Sequence, residues 1–117
     1  MNRNRRVART SLRIALVSAL AVLPSLAMAG GDPAAGKEKS AVCQACHGVD
    51  GHSVDPMYPM LAGQYEDYLV KALKDYRSGA RVNAIMAGFA ANLSDRDIED
   101  LAAWYASQDG LKSISVD

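Results

Sequence analysis

Both cysteines of the chain and one of its two histidines fall within a single six-residue stretch, Cys43-Gln44-Ala45-Cys46-His47-Gly48. Four chemistries could use such a cluster: a disulfide, a zinc site, a thiol redox pair, or covalent attachment of haem. Spacing separates them. Positions i, i+3 and i+4 of a helical turn share one face, so Cys43, Cys46 and His47 can meet one planar ligand together. C-x-x-C-H is the attachment signature of c-type haem. The two thiols add to the vinyl groups as thioethers, and the imidazole ligates the iron from the same side. Gly48 lets the chain turn away with no side chain against the macrocycle. A zinc site wants about four ligands in tetrahedral array. The chain offers only Cys43, Cys46, His47 and His52, and two of these are adjacent. A thioredoxin-like pair needs a βαβ context, and no strand pattern is visible. A plain disulfide leaves His47 without a purpose.

An iron held by His47 needs its opposite axial position settled, and a methionine thioether is the usual partner where electron transfer is the task. Met57 and Met60 follow His47 closely, in a loop that must first pass around the haem edge. They read as packing residues. Met86 lies far enough along the chain to reach the other face. His52 is too near His47 to do so and reads as a solvated loop histidine.

The elements that must carry these residues begin after a leader. Arg3, Arg5, Arg6, Arg9 and Arg13 precede an acid-free apolar run from Ile14 to Leu26, and Ala27-Met28-Ala29 supplies a small-x-small processing site. This is the pattern of a cleavable secretion signal. The run is short for a membrane span, which needs about 20 residues. Residues 1–29 are therefore expected to be a signal peptide for the general secretion route, and 30–117 a single domain. No stable membrane insertion is expected once the leader is removed. The whole chain holds 13 basic and 13 acidic residues, and the leader's five arginines leave eight against thirteen in the remainder, a balance of −5. That is not a nucleic-acid-binding balance.

Three helices can be read in the domain. Asp32-Pro33 is an N-cap followed by proline at the first helical position, opening a helix that runs into Cys43. A second starts near Gly63, with Tyr65, Leu69, Ala72, Leu73 and Tyr76 at helical spacing and Gly79 as its stop. A third begins at Ser94 with Asp97 as capping partner, and Ile98, Leu101, Ala102 and Tyr105 form its apolar face. Residues 48–63 and 80–92 read as irregular, and Lys112 onward as a short tail. The fold class is all-α. Apolar loops of this length need something to pack against.

With "VCQACHGVDG", "YPMLAGQYEDYLVKALKDYRSGAR" and "IMAGFAANLSDRDIEDLAAWYASQ" in hand, the chain resembles a class I c-type cytochrome of the small bacterial c553/c4/c5 group. The resemblance implies three main helices and loops wrapped around one covalently bound haem c. It implies thioethers at Cys43 and Cys46, and iron ligation by His47 and by Met86, just ahead of an L-S-D helix start. Pro59 is implied to offer its carbonyl to the outer nitrogen of His47. It further implies haem-pocket walls from Leu61, Tyr65, Leu69, Ile85, Phe89 and Leu101, and propionate neighbours in Gln64 and Arg81. Gly36 is implied to meet Trp104 or Tyr105 where the first and last helices cross. The c4 type carries two haem domains, and the single C-x-x-C-H here corresponds to one half of it or to a single-haem relative.

The function implied is that of a periplasmic one-electron carrier, not an enzyme, cycling Fe(II)/Fe(III) between transient donor and acceptor redox proteins. Contacts would form at the haem edge near Cys43. A patch of Lys37, Lys39, Lys71, Lys74 and Arg77 could steer an acidic partner, although ordinary solvated helix faces account for the same residues. The alternative is a haem c subunit of a larger oxidoreductase, which an exposed apolar patch would favour.

Overall fold

A computed structural model describes residues 30–111. The signal-peptide reading of residues 1–29 and the tail from Lys112 onward lie outside the described residues. Among those described, the chain forms five helices and no strand. They are α1 (Pro33–Lys39), α2 (Gln44–His47), α3 (Glu66–Ser78), α4 (Ala84–Ala90) and α5 (Asp95–Ala106). None is long and apolar enough to cross a membrane.

The start of α1 follows the sequence reading: the Asp32 carboxylate accepts the Ala34 N–H at 2.9 Å, with Pro33 inside the first turn. The helix does not continue into Cys43. It tightens into a 3₁₀ turn over Ser40–Val42, where the buried Ser40 hydroxyl donates back to the Lys37 carbonyl. The Cys43 carbonyl then starts α2 by accepting from Cys46 and His47.

The second helix starts at Glu66, three residues later than its apolar spacing suggests. Gly63 is the reason. It takes φ +71°, and a Cβ there would lie 2.7 Å from the Leu111 carbonyl oxygen. Its N–H is donated to the Tyr105 carbonyl at 2.9 Å, so residue 63 belongs to the contact with the C-terminal segment. Glu66 and Asp67 fill the first turn, where negative charge suits the helix dipole, and Gly79 ends the helix in the left-handed region.

The apolar segment before Ser94, expected to be irregular, is the helix α4. Its cap is Asn83, whose side-chain oxygen accepts the Met86 N–H at 3.0 Å. Ser94 and Asp97 form the reciprocal capping box at the start of α5, and the expected face of Ile98, Leu101, Ala102 and Tyr105 is buried.

Helix α5 is the axis of the fold, packed on α1 and on α3, with α4 laid on α3. A Cβ on Gly36 would lie 1.9 Å from the Asp100 carbonyl oxygen and 2.8 Å from the Trp104 Cβ, so α1 and α5 cross backbone against backbone. Trp104 is thus an aromatic neighbour at the crossing. A buried charge cluster secures the same contact. Asp100, 2% exposed, accepts from the Asp32 N–H (2.8 Å) and Lys39 (2.7 Å), and Arg96 lies at 3.0 Å. Burial alone would push the Asp100 carboxyl upward, but Lys39, the Asp32 N–H and Arg96 together hold it below the usual range. The apolar core around this axis is small. Leu69, Ala102 and Tyr105 form its centre, with Cys43, Leu61, Val70 and Trp104 packed at its edge.

Candidate functional site

A cleft of about 480 Å³ opens beside that core, between the Cys43–His47 segment, the loop through Pro59, α3 and α4. Cys43, Cys46, His47, Pro59, Leu61, Gln64, Arg81 and Met86 all line it. The residues that the sequence singled out as anchors, iron ligands, carbonyl partner and propionate neighbours therefore come to one place.

Helix α2 holds the first three. The two cysteines are unpaired, and burial pushes the Cys43 thiol upward, which is the wrong direction for a redox-active thiolate. His47 is 6% exposed, and its Nδ1 lies 2.8 Å from the Pro59 carbonyl oxygen. A carbonyl can only accept, so Nδ1 carries the proton and the Nε2 lone pair is left for a metal. The loop that delivers Pro59 is itself tied down: the Leu61 and Ala62 N–H groups both donate to the Gly51 carbonyl. Among the described residues no group of three or more His, Cys, Asp or Glu gathers as a metal site.

Met86 reaches the cleft from α4, an element that packs on α3 rather than on α2. It is half-buried. Met57 and Met60 also line the cleft, Met57 being 80% exposed. Of the expected walls, Leu61, Leu69, Ile85, Phe89 and Leu101 are present. Tyr65 is not: it is the residue before α3, exposed to solvent, because that helix begins later than its periodicity suggests. Arg81 stands over the Tyr76 ring at 4.8 Å and donates to the Tyr68 hydroxyl at 3.3 Å, at the cleft rim. His52 lies outside, paired with Asp50 at 3.1 Å and open to solvent.

The sequence reading missed Asn83, Tyr58, Tyr68, Tyr76 and Tyr105 as cleft residues. Asn83 had a signal, since asparagine three residues ahead of a helical N–H is a capping pattern. Tyr68 and Tyr76 had one too, lying eight residues apart on the apolar side of α3.

The residues present fit a large planar apolar group. Ile85 (63% exposed) and Phe89 (48%) turn toward the cleft instead of a protein core, and apolar side chains gathered at one concave surface mark a binding site. The Tyr105 hydroxyl is buried beside the same cleft with no hydrogen-bond partner. Burial, with Cys43 adding to it, pushes that phenol well above its ordinary value, so it remains a neutral donor. A conjugated macrocycle bearing vinyl groups, an iron and polar edges matches the thiols, the free imidazole nitrogen and the apolar walls together.

Comparison with known proteins agrees with the site. A family model for cytochrome c matches residues 33–109. Cytochrome c4 of Pseudomonas aeruginosa is 54% identical over 86 residues, 74% of this chain and 43% of that protein. Cytochrome c-554(548) of Halomonas halodenitrificans is 49% identical over 82 residues, 68% of this chain and 99% of that protein. The crystal structure of reduced recombinant cytochrome c4 from Pseudomonas stutzeri superposes with a TM-score of 0.66 at 48% identity, covering 69% of this chain and 47% of that one. The chain spans about half the length of the cytochrome c4 relatives it matches. A two-cysteine motif, a histidine held through Nδ1 and an all-helical frame with these relatives have one reading: the chain belongs to the cytochrome c family, whose covalent haem c it is built to carry.

Proposed function

We propose that the protein is a periplasmic one-electron carrier, exported by way of a cleavable leader at residues 1–29. Cys43 and Cys46 would anchor a haem as thioethers, and His47 and Met86 would hold its iron. Bound haem supplies the Fe(II)/Fe(III) couple. The protein's own residues set how that couple behaves. His47, donating through Nδ1 to Pro59, keeps one ring orientation and binds more strongly through Nε2. Met86 offers a soft sulfur that favours the reduced state, and the apolar walls disfavour the extra charge of the oxidised one, so both raise the potential. With His47 and Met86 both engaged, no coordination position is left for a substrate, which is why a carrier is favoured over a catalyst.

The observation that carries this reading is the convergence of a metal-ready His47 and Met86 on one cleft from separate elements. An absorption spectrum and redox titration of the exported protein test it. Covalently bound haem is expected, with the long-wavelength band that reports sulfur–iron ligation in the oxidised form. Met86→Ala should abolish that band, and its survival would remove Met86 from the iron.

The lysine patch gives little support to steering. Lys39 is engaged with Asp97 and Asp100, Lys71 with Asp75, and Arg77 with Asp95. Exposed Val42 and Met57 at the cleft favour one second reading, a haem subunit with a permanent apolar partner. Purification of the native protein as a stable complex would establish it.

A further inference from the structure

Helix α4 has little of its own to hold it. It is seven residues long with Gly88 inside it, and helices shorter than about 12 residues are marginal without packing. Only Ala90 is buried, and Ile85 and Phe89 face the cleft rather than a protein core. The first turn, which contains Met86, is bracketed by one residue. The Asn83 side chain accepts the Met86 N–H at 3.0 Å, and the Asn83 carbonyl accepts the Ala87 N–H at 2.9 Å. Asn83 is fixed in turn by the strap before it: the Arg81 N–H donates to the Asp75 carbonyl, and the Arg81 side chain is held by Tyr68 and Tyr76.

We infer that Asn83 is a positioning residue for the distal ligand. Its side-chain cap, acting on the Met86 N–H, sets the fraction of molecules in which the Met86 sulfur is on the iron. The inference rests on the ligand reading given above. Substituting the side chain removes the first-turn bond while leaving the Asn83 carbonyl, so α4 frays from the end that carries Met86.

The test uses the oxidised holoprotein and its titration with imidazole, which competes with Met86 for iron. A competitor's apparent affinity rises in proportion to the population in which the ligand is off. Asn83→Ala is expected to strengthen imidazole binding on the order of fivefold, the usual worth of an N-cap. Asn83→Asp, which can still accept the Met86 N–H, should return binding to within about twofold of wild type. Ser94→Ala removes the cap of the neighbouring α5 and should lower the melting temperature with less than a twofold change in imidazole affinity. Equal imidazole affinities in Asn83→Ala and wild type would overturn the inference, as would failure of Asn83→Asp to restore them, or an equal gain in Ser94→Ala. Met86→Ala, run in parallel, isolates the ligand reading: if it keeps the long-wavelength band, that reading fails, and the inference with it. If it loses the band while Asn83→Ala behaves as wild type, only the inference fails.

Discussion

The two sides of the cleft are built on opposite plans. On the Cys43–His47 side, three functional residues share one turn, the histidine is buried, and its outer nitrogen is fixed by a carbonyl from a pinned loop. On the Met86 side, one half-buried residue stands on a short helix whose walls face the cleft and whose start depends on a single cap. The first side is held by hydrogen bonds within the chain. The second presents its apolar walls to the cleft rather than to a protein core. On the function proposed above, permanent attachment belongs to the first, proximal side and adjustable ligation to the second, distal one.

The sharpest way to break this comparison is to remove the anchors. Cys43→Ala combined with Cys46→Ala is expected to abolish covalent haem altogether, read by haem staining of the denatured protein. Retention of stainable haem would show that the proximal turn is not the point of attachment. Next in size is the α1–α5 crossing, which supports both sides. Gly36→Val forces a side chain where the Asp100 carbonyl lies 1.9 Å from the Cβ position, and a loss of at least about 3 kcal/mol is expected in chemical denaturation. A smaller loss, about 2 kcal/mol, is expected for Asp100→Ala, which leaves the Asp32 N–H without its carboxylate and takes from Lys39 one of its two.

Acid tests the same cluster without mutation. Asp97 and Asp100 both have carboxyls held below their ordinary values: Asp97 by Lys39 and the Ser94 cap, Asp100 by Lys39, the Asp32 N–H and Arg96 against its burial. A depressed carboxyl stabilises the fold above its unfolded value, about pH 4, and the contribution is lost as pH falls through the folded value. Below about pH 4 the long-wavelength band should therefore fade while covalent haem is retained. Simultaneous loss of both would contradict the division of labour. The smallest effect is expected from Pro59→Ala. The accepting group is backbone and survives substitution, so the potential and the stability, within about 0.5–1 kcal/mol, should hardly move.

How far the sequence alone could be read follows the same division. Cys43, Cys46 and His47 were legible because their chemistry dictates a spacing, and the Asp32, Ser94 and Gly79 boundaries were legible because caps and stops are local. Helix α4 was misread because its apolar residues face the cleft, so no amphipathic period against a protein core is present, and its cap is an asparagine inside an otherwise apolar stretch. Tyr65 was misplaced because the start of α3 is decided by Gly63 meeting Leu111, a contact that no local pattern encodes. Asp100 was passed over for the same reason. A carboxylate on the buried side of a helix looks unfavourable until Lys39, Arg96 and the Asp32 N–H are found around it.

The crossing of Gly36 on Asp100 also divides the domain by reach along the chain. It joins residues far apart in sequence, so closing it costs loop entropy. The Cys43–His47 turn needs no such closure, since its hydrogen bonds are made within five residues. The anchor positions are thus set by local bonds, whereas α1 and α5 are held by a long-range contact. Native-state hydrogen exchange of the haem-bearing protein should therefore show α1 and α5 opening together. Protection of α5 while α1 exchanges would contradict that coupling.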